Sequence, residues 1–523
     1  MKRLTTTLLC ASIALWGATT VAQAKPGDSP DDPFIVAFQG GADSLDPIMR
    51  SVTVAYSWQR GIFDTITHQR RNGEVVPRIA TSWKNIDPLQ WELKIRQGVK
   101  FHDGSPLTAK DVGESIMDTR NNPKSQMQVY VSSVKDYEVV DDETLLINFS
   151  APDPVFPVHL TNVVAMPESL IEEKGRDAFA KEPIGTGPYK LVEWETDDYL
   201  VLEPWEEFWG DAPDYKHVRY QKIPNNSTRV SSLITGDSHV AENIAPSDFD
   251  RIEAEDGLKI TTNPGRRIMF LGLDYHNEED SPGIDGGGKN PFMDKRVREA
   301  VSLSIDRSLL ANKIFNDAVT EAAQFLPPSS LAFNEDLPAI EPDLEKAQSL
   351  LEQAGYKEGF KVRFDASNDR YLYDSLVAQG IAGFLKKAGL NVSVDAVPMT
   401  IFLSQRLRKG ESSMYMLGWG NSNSLSTWRS VFHCKDPDEG VGDTNFIEYC
   451  NPEADALIDK AMETFDDDER NQLILEAYDI AINQDFAYIP LYYQSEIAGL
   501  QTDIEWTPRQ DGIILPWEFT AKE

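Results

Sequence analysis

The sequence predicts an α/β protein of more than one domain, and three observations carry that expectation. Between Asp343 and Val397, helical and extended patterns alternate: DLEKAQSLLEQAG, then KVRFDAS, then a helix over Ser375 to Ala388, then NVSVDAV. Such a β-α-β alternation argues for a mainly parallel sheet covered by helices. Upstream, WELKI alternates apolar and polar residues with period two, the pattern of a half-buried strand. Finally, 523 residues with 41% hydrophobic and 10% aromatic content exceed what a single core usually organises.

Taken in order, the chain opens on Lys2-Arg3, an apolar run from Leu8 to Trp16, and Ala22-x-Ala24. These are the parts of a secretory leader cleaved after Ala24. Cys10 raises a lipoprotein box as the alternative, but the apolar segment before it is short and the Ala-x-Ala site lies downstream. No later run is long enough to span a bilayer. The formal charge is −34, and losing Lys2 and Arg3 makes it two units more negative. That surface argues against nucleic acid or anionic lipid as a partner. Cys434 and Cys450 remain after processing. In an oxidising compartment they are expected to pair as a disulfide; a metal pair is the alternative, with no ligand-spaced His or Cys beside it.

FIVAFQGGADSLDP, Phe34 to Pro47, reads as a strand entering a glycine turn. Trp91, Leu93 and Ile95 form the buried side of a strand, Gln97-Gly98 turns the chain, and Val99 and Phe101 start a second short strand. Thr108 stands three residues before Asp111, a capping box opening a helix. A strand-like YEVVDDETLLINF and a helix at ESLIEEKG complete an α+β segment between about Ser51 and Lys181. RIMFLGLD, Arg267 to Asp274, is an apolar strand. Val297, Ala300, Val301 and Ser304 share one helical face, as do Leu344, Ala347, Leu350 and Leu351, with Gly355 as a stop signal. Met414 to Gly420 is a strand, and Asn451-Pro452-Glu453 a helix start.

Catalytic sets are missing from the sequence. There is no H-E-x-x-H, no G-x-S-x-G and no usable cysteine nucleophile. Gly283 to Lys289 approaches a phosphate-binding loop, but Asn290 stands where Ser or Thr should hold Mg²⁺, and Asp285 would repel phosphate. DPDEGVGD fails the EF-hand spacing. No enzyme activity, metal or other cofactor is expected.

Ala80 to Val112, through WELKIRQGVKFHDGSPLTAKDV, resembles the signature region of the family 5 extracellular solute-binding proteins, the peptide-, nickel- and glutathione-binding partners of ABC importers. The likeness continues at Phe34–Pro47, at PIGTGPY (Pro183 to Tyr189), at Asn226 to Val240, at NPFMDKRVREAVSLSIDR and at FAYIPLYY (Phe486 to Tyr493). It implies a two-lobed periplasmic-binding-protein fold. Lobe I would take residues 25–50, 182–270 and 495–523, the inserted domain 51–181, and lobe II 271–494. The inserted domain would sit away from the hinge.

The resemblance further implies a small solute held between the lobes of a monomeric periplasmic protein that docks on membrane permease subunits. Gly41, Ala42, Asp43 and Ser44 would face the solute, with an ordinary tight turn as the alternative. So would the loop Trp419-Gly420-Asn421-Ser422-Asn423. In amine-binding peptide members, the third residue after that Trp is an Asp that pairs with the ligand's ammonium. Here it is Ser422, which hydrogen-bonds but cannot neutralise a cation. The Ser-rich loop and NDRY, Asn368 to Tyr371, look more like glutathione-binding relatives. Arg370, beside Tyr371, could grip a carboxylate, or simply pair with Asp369 or Asp374. Trp428 could stack on the solute or pack in the core. The expected function is capture of a short peptide or peptide-like solute for import. The alternatives are a non-peptide solute such as an opine, glycoside or metal chelate, and an enzyme or chaperone on the same fold.

Overall fold

The computed structural model describes residues 25–522 except 280, 286, 331, 421 and 422. The expected leader and two residues of the expected solute loop, Asn421 and Ser422, therefore lie outside the described residues.

A mixed sheet of twelve strands runs through the molecule, and two long strands hold it together. Leu258–Leu273 and Tyr488–Gln501 lie antiparallel side by side. At one end they continue into Val240–Glu242, Phe34–Phe38, Val218–Lys222, Tyr199–Pro204 and Tyr189–Glu195. At the other they meet Met414–Gly420, Lys361–Ser367 and Asn391–Val397. The register between the long strands breaks between Pro264 and Arg267. Proline offers no N–H to a ladder, and the Gly265 position has no room for a side chain: a Cβ there would lie 2.5 Å from the Gln494 carbonyl oxygen. The break thus falls at a Pro-Gly pair, where the sheet passes from one lobe to the other. The sequence reading cut both strands short because their lobe I halves, KITTNPG and SEIAGLQ, lack a clean apolar run.

In lobe I, Phe34–Phe38 pairs in parallel with strands on both sides, and Phe34, Val36 and Phe38 are fully buried. The helix Thr53–Ile62, grouped by the sequence reading with the inserted segment, instead packs Trp58 and Ile62 into this same core. The PIGTGPY glycines allow the chain to lie against that helix's end. A Cβ on Gly185 would sit 2.1 Å from the Ile62 carbonyl oxygen. Next to it, the buried His102 ring bonds the Gly187 carbonyl at 3.0 Å, and burial pushes its pKa down to about 4.

The inserted segment has its own antiparallel sheet, Ala80–Asp87, Gln90–Ile95, Thr144–Phe149 and Val134–Asp141 in that spatial order. Leu93, Ile95, Leu145 and Ile147 pack against Val112 and Ile116 of the helix Ala109–Asn121. Both arms of the Thr108/Asp111 capping box form. The second strand expected at Val99 does not. Lys100 makes one isolated bridge to Pro106, because the Asp103-Gly104 turn returns the chain at once, although Val99 and Phe101 are buried.

In lobe II, Lys361–Ser367 and Asn391–Val397 pair in parallel, and Asp374–Lys387 covers them. Val297, Ala300 and Val301 are buried as expected. Leu344 is 40% exposed, being the first residue of its helix; Ala347 and Leu351 carry that stripe. Cys434 and Cys450 form a disulfide across a separation of 16 residues. Among the described residues no group of three or more His, Cys, Asp or Glu could hold a metal ion, and no helix is long and apolar enough to cross a membrane. Replacing both cysteines by serine is expected to cost about 3 kcal/mol through the entropy of the opened loop, read as a lower urea midpoint at unchanged slope.

Candidate ligand cleft

A cavity of about 1150 Å³ opens where lobe I, the inserted segment, the two long strands and lobe II converge. Small-molecule pockets run roughly 300–1000 Å³, so this one suits a solute of several residues' size.

Lobe I contributes the turn Gln39-Gly40-Gly41. Gly41 is required here: a Cβ would stand 2.8 Å from the Asp197 backbone. Beyond it the chain turns away. The Ala42 carbonyl accepts from Asp197 N–H and from Trp194 Nε1, both at 2.9 Å. Asp43 pairs with Arg50 at 2.9 Å, and Ser44 Oγ accepts from Asp46 N–H. Asp43 and Ser44 line a separate outer hollow with His102, Lys190 and Trp194. Of the four residues expected in this turn, the cavity lining contains Gly41 alone.

One wall is apolar. Val52, Val54, Tyr56, Val129, Tyr130 and Val158 line it, and Val129 is 68% exposed. All six, with His159, Thr161 and Asn162, fall in residues 51–181, the segment expected to sit away from the hinge. His159 is anchored by Asp153, at 3.0 Å from Nδ1, and approaches Asn423 at 3.5 Å across the cleft.

Lobe II presents Arg370, Gly420, Asn423 and Ser426. Asn423 caps the helix Ser424–Val431, its Oδ1 accepting from Leu425 and Ser426 N–H. Trp419 is half-buried and donates to Thr427 Oγ1 at 3.3 Å. Tyr371 is buried and donates to the Gly418 carbonyl at 3.1 Å; it is the platform between two guanidiniums and not itself part of the lining. Trp428 is 0% exposed, stacked on Phe432 with Nε1 bound to Asp455 Oδ1 at 2.8 Å. It lies in the core of lobe II, where its ring meets side chains and no cavity.

The charged floor was not legible as a unit. Arg267 and Arg370 flank the Tyr371 ring, 5.8 and 5.7 Å from its centroid, and both line the cavity. Among the described residues neither guanidinium has a hydrogen bond or ion pair. The neighbours expected to compete for Arg370 are otherwise engaged: Asp369 accepts from Met399 N–H, and Asp374 from Ser367 and from the N–H groups of Arg370 and Tyr371. Burial lowers the pKa of Arg267. By contrast, Arg60 donates to the Thr161 carbonyl, while Arg266 binds Gln69 and Asp511. Two carboxylates, Glu242 and Glu496, line the same floor. The one sequence signal was Arg266-Arg267, two cations at the foot of an apolar run.

Residues 74–436 match the profile of the bacterial extracellular solute-binding proteins, family 5 Middle. The chain is similar to the glutathione-binding protein GsiB of Salmonella typhimurium, at 24% identity over 93% of this chain and 94% of the relative. It is also similar to the oligopeptide-binding protein AppA of Bacillus subtilis, at 28% identity over 86% of this chain and 84% of the relative. Its fold matches the ABC transporter-associated periplasmic binding protein DppA of Helicobacter pylori in complex with the peptide STSA. That TM-score is 0.69 at 23% identity, over 94% of this chain and 98% of the other. The matched profile covers more than half of the sequence, and the two lobes joined by crossing strands around one cavity are the corresponding architecture: this chain belongs to the family 5 bacterial extracellular solute-binding proteins, a family of binding proteins and not of enzymes.

Proposed function

We propose that this protein captures a short peptide or peptide-like solute in the cleft and delivers it to the permease of an ABC importer after export and cleavage behind Ala24. The observation that carries the reading is the pair of guanidiniums, Arg267 and Arg370, without a hydrogen bond or ion pair among the described residues, in a cavity that also offers an apolar wall and the Gln39–Gly41 turn. A guanidinium matches a carboxylate with two parallel charge-assisted bonds, so either one can take a terminal or side-chain carboxylate of the solute. Val52 and Val129 suit apolar side chains of variable size. The printed names of the relatives, glutathione- and oligopeptide-binding, agree with this chemistry. Closure would follow because ligand contacts spanning both lobes favour the closed member of an open–closed pair.

The test is a thermal-shift screen of ligand-stripped protein lacking residues 1–24. The panel holds a mixed tripeptide library, the same library C-terminally amidated, glutathione, opines and sugars. Free tripeptides or glutathione are expected to raise the melting temperature. Amidation, or Arg370→Gln with Arg267→Gln, is expected to weaken peptide binding roughly ten- to hundredfold, the worth of a charge-assisted pair. Shifts by sugars or opines alone would remove the peptide assignment.

A further inference from the structure

We infer that the Glu496 carboxylate, supported by Glu242, takes an ammonium group of the solute, so that the cleft selects a ligand carrying both a free amine and an acid. The inference rests on the cleft reading above and narrows its ligand class.

The placement comes from the hinge. Glu496 lies opposite Asn263 on the long strands, just beyond the register break. Two glycines shape the space around it. A Cβ on Gly265 would stand 3.0 Å from Oε1, and one on Gly512 would stand 3.1 Å from Oε2. Bare backbone thus approaches both oxygens; Glu496 lines the cleft, and on its other side a small hollow of about 40 Å³ beside Gly512, too small for a solute. Among the described residues nothing donates a hydrogen bond to this carboxylate and no ion pair reaches it. Glu242 is less free, since its Oε1 accepts from Gln39 N–H at 2.8 Å.

The surrounding charges do not complete the pair. Glu496 is faced by Glu242, Asp511, Arg266 and Arg267. Arg266 and Asp511 already bind each other. Arg267 leans on Tyr371 and acts on Glu496 through space, without a direct ion pair among the described residues. Burial, and then Glu242, push the Glu496 pKa up to about 7. A desolvated carboxylate without a donor is unfavourable, and a ligand ammonium supplies both the missing donor and the missing charge. The floor thus carries both signs of charge, Glu242 and Glu496 with Arg267 and Arg370. A zwitterionic solute matches both at once. Neutral sugars match neither.

The experiment measures binding of trialanine, N-acetyl-trialanine and trialanine amide by calorimetry, with wild-type protein and Glu496→Gln. For the wild type, acetylation is expected to weaken binding roughly ten- to hundredfold. In Glu496→Gln, free and acetylated peptides are expected to bind alike, both near the wild-type value for the acetylated form. Lowering the pH from 7 to 5.5, a range in which the peptide's own amine stays charged, should weaken wild-type binding of trialanine roughly four- to tenfold, because a protonated Glu496 no longer supplies the charge that pairs with the ammonium, and Glu496→Gln should lose this dependence. Wild-type binding that ignores acetylation, or a Glu496→Gln variant that still distinguishes the two forms, overturns the anchor and leaves the peptide reading standing. If trialanine binds at no pH and the tripeptide library is also silent, the peptide reading fails and the anchor with it.

Discussion

Asp511→Ala is expected to destabilise the protein by about 3–5 kcal/mol at neutral pH, the cost of stranding a buried cation. Arg509 and Asp511 have side chains only 1% and 5% exposed, joined at 2.8 Å. Asp511 also accepts from Arg266 at 3.3 Å and from Ile513 N–H. Arg509 continues to Glu518 at 2.9 Å and to the Gln69 carbonyl. The cluster therefore ties the C-terminal segment and the hairpin at Gln69 to the strand break itself. Burial alone would raise the Asp511 carboxyl; the guanidiniums of Arg509 and Arg266 outweigh it and hold it below the usual carboxylate range. Its contribution is then fully present above about pH 4, the ordinary Asp value, and is lost only in stronger acid. Urea unfolding measures the loss. Asp511→Ala combined with Arg509→Met should recover part of it, since the most buried cation is removed, Glu518 keeps Arg71 as its partner and the partly exposed Arg266 keeps its bond to Gln69. A double variant less stable than the single one would contradict this account of the cluster.

Trp428→Ala is expected to cost a similar 3–5 kcal/mol, by opening a cavity where an indole was fully enclosed. The ring lies 4.9 Å from Phe432 in a parallel stack and 5.1 Å from Tyr478 edge-on. Its Nε1 bond is to Asp455, whose other oxygen accepts from Cys434 N–H at 3.0 Å beside the disulfide. Loss of the ring therefore loosens the attachment of the cross-linked loop as well. Trp428→Phe, which keeps one aromatic ring in the stack and loses the Nε1 bond with the rest of the indole, should lower stability by less. Because Trp428 has no surface on the cavity, Trp428→Phe should leave the ranking of solutes unchanged. A changed ranking in calorimetric titrations would place the ring back at the ligand.

These residues show where a sequence reading succeeds and where it stops. The β-α-β alternation from Leu344 to Val397 was legible because each element's period follows from its own local burial. So was the Thr108/Asp111 cap, which spans four residues. Trp428 was ambiguous because an indole suits both a core and a ligand, and only the enclosing Phe432 and Tyr478 decide. The Gly41 turn was legible up to the point where the Ala42 carbonyl redirects the chain, and that depends on Trp194, far away in sequence. Arg267, Glu242 and Glu496 were missed for the same reason: they line one cavity only because Leu258–Leu273 and Val240–Glu242 both pair with Tyr488–Gln501, more than two hundred residues on. Asn421 and Ser422, on which the likeness to glutathione-binding relatives leaned, lie outside the described residues.

The break at Pro264-Gly265 has a mechanical corollary. The long strands are laddered together on both sides of it, with one smaller register shift between Met269 and Phe270, so the compliance is greatest at the Pro264–Arg267 gap. In a body that bends at a single fulcrum, displacement grows with distance from that point. Glu496 and Arg267 stand next to the fulcrum, whereas Val129, Asn423 and Ser426 belong to the lips of the cavity. Groups beside the fulcrum would keep nearly the same spacing whether the jaws gape or shut. The charged ends of a solute could then be seized first, in the gaping form, while the lips gauge its bulk afterwards.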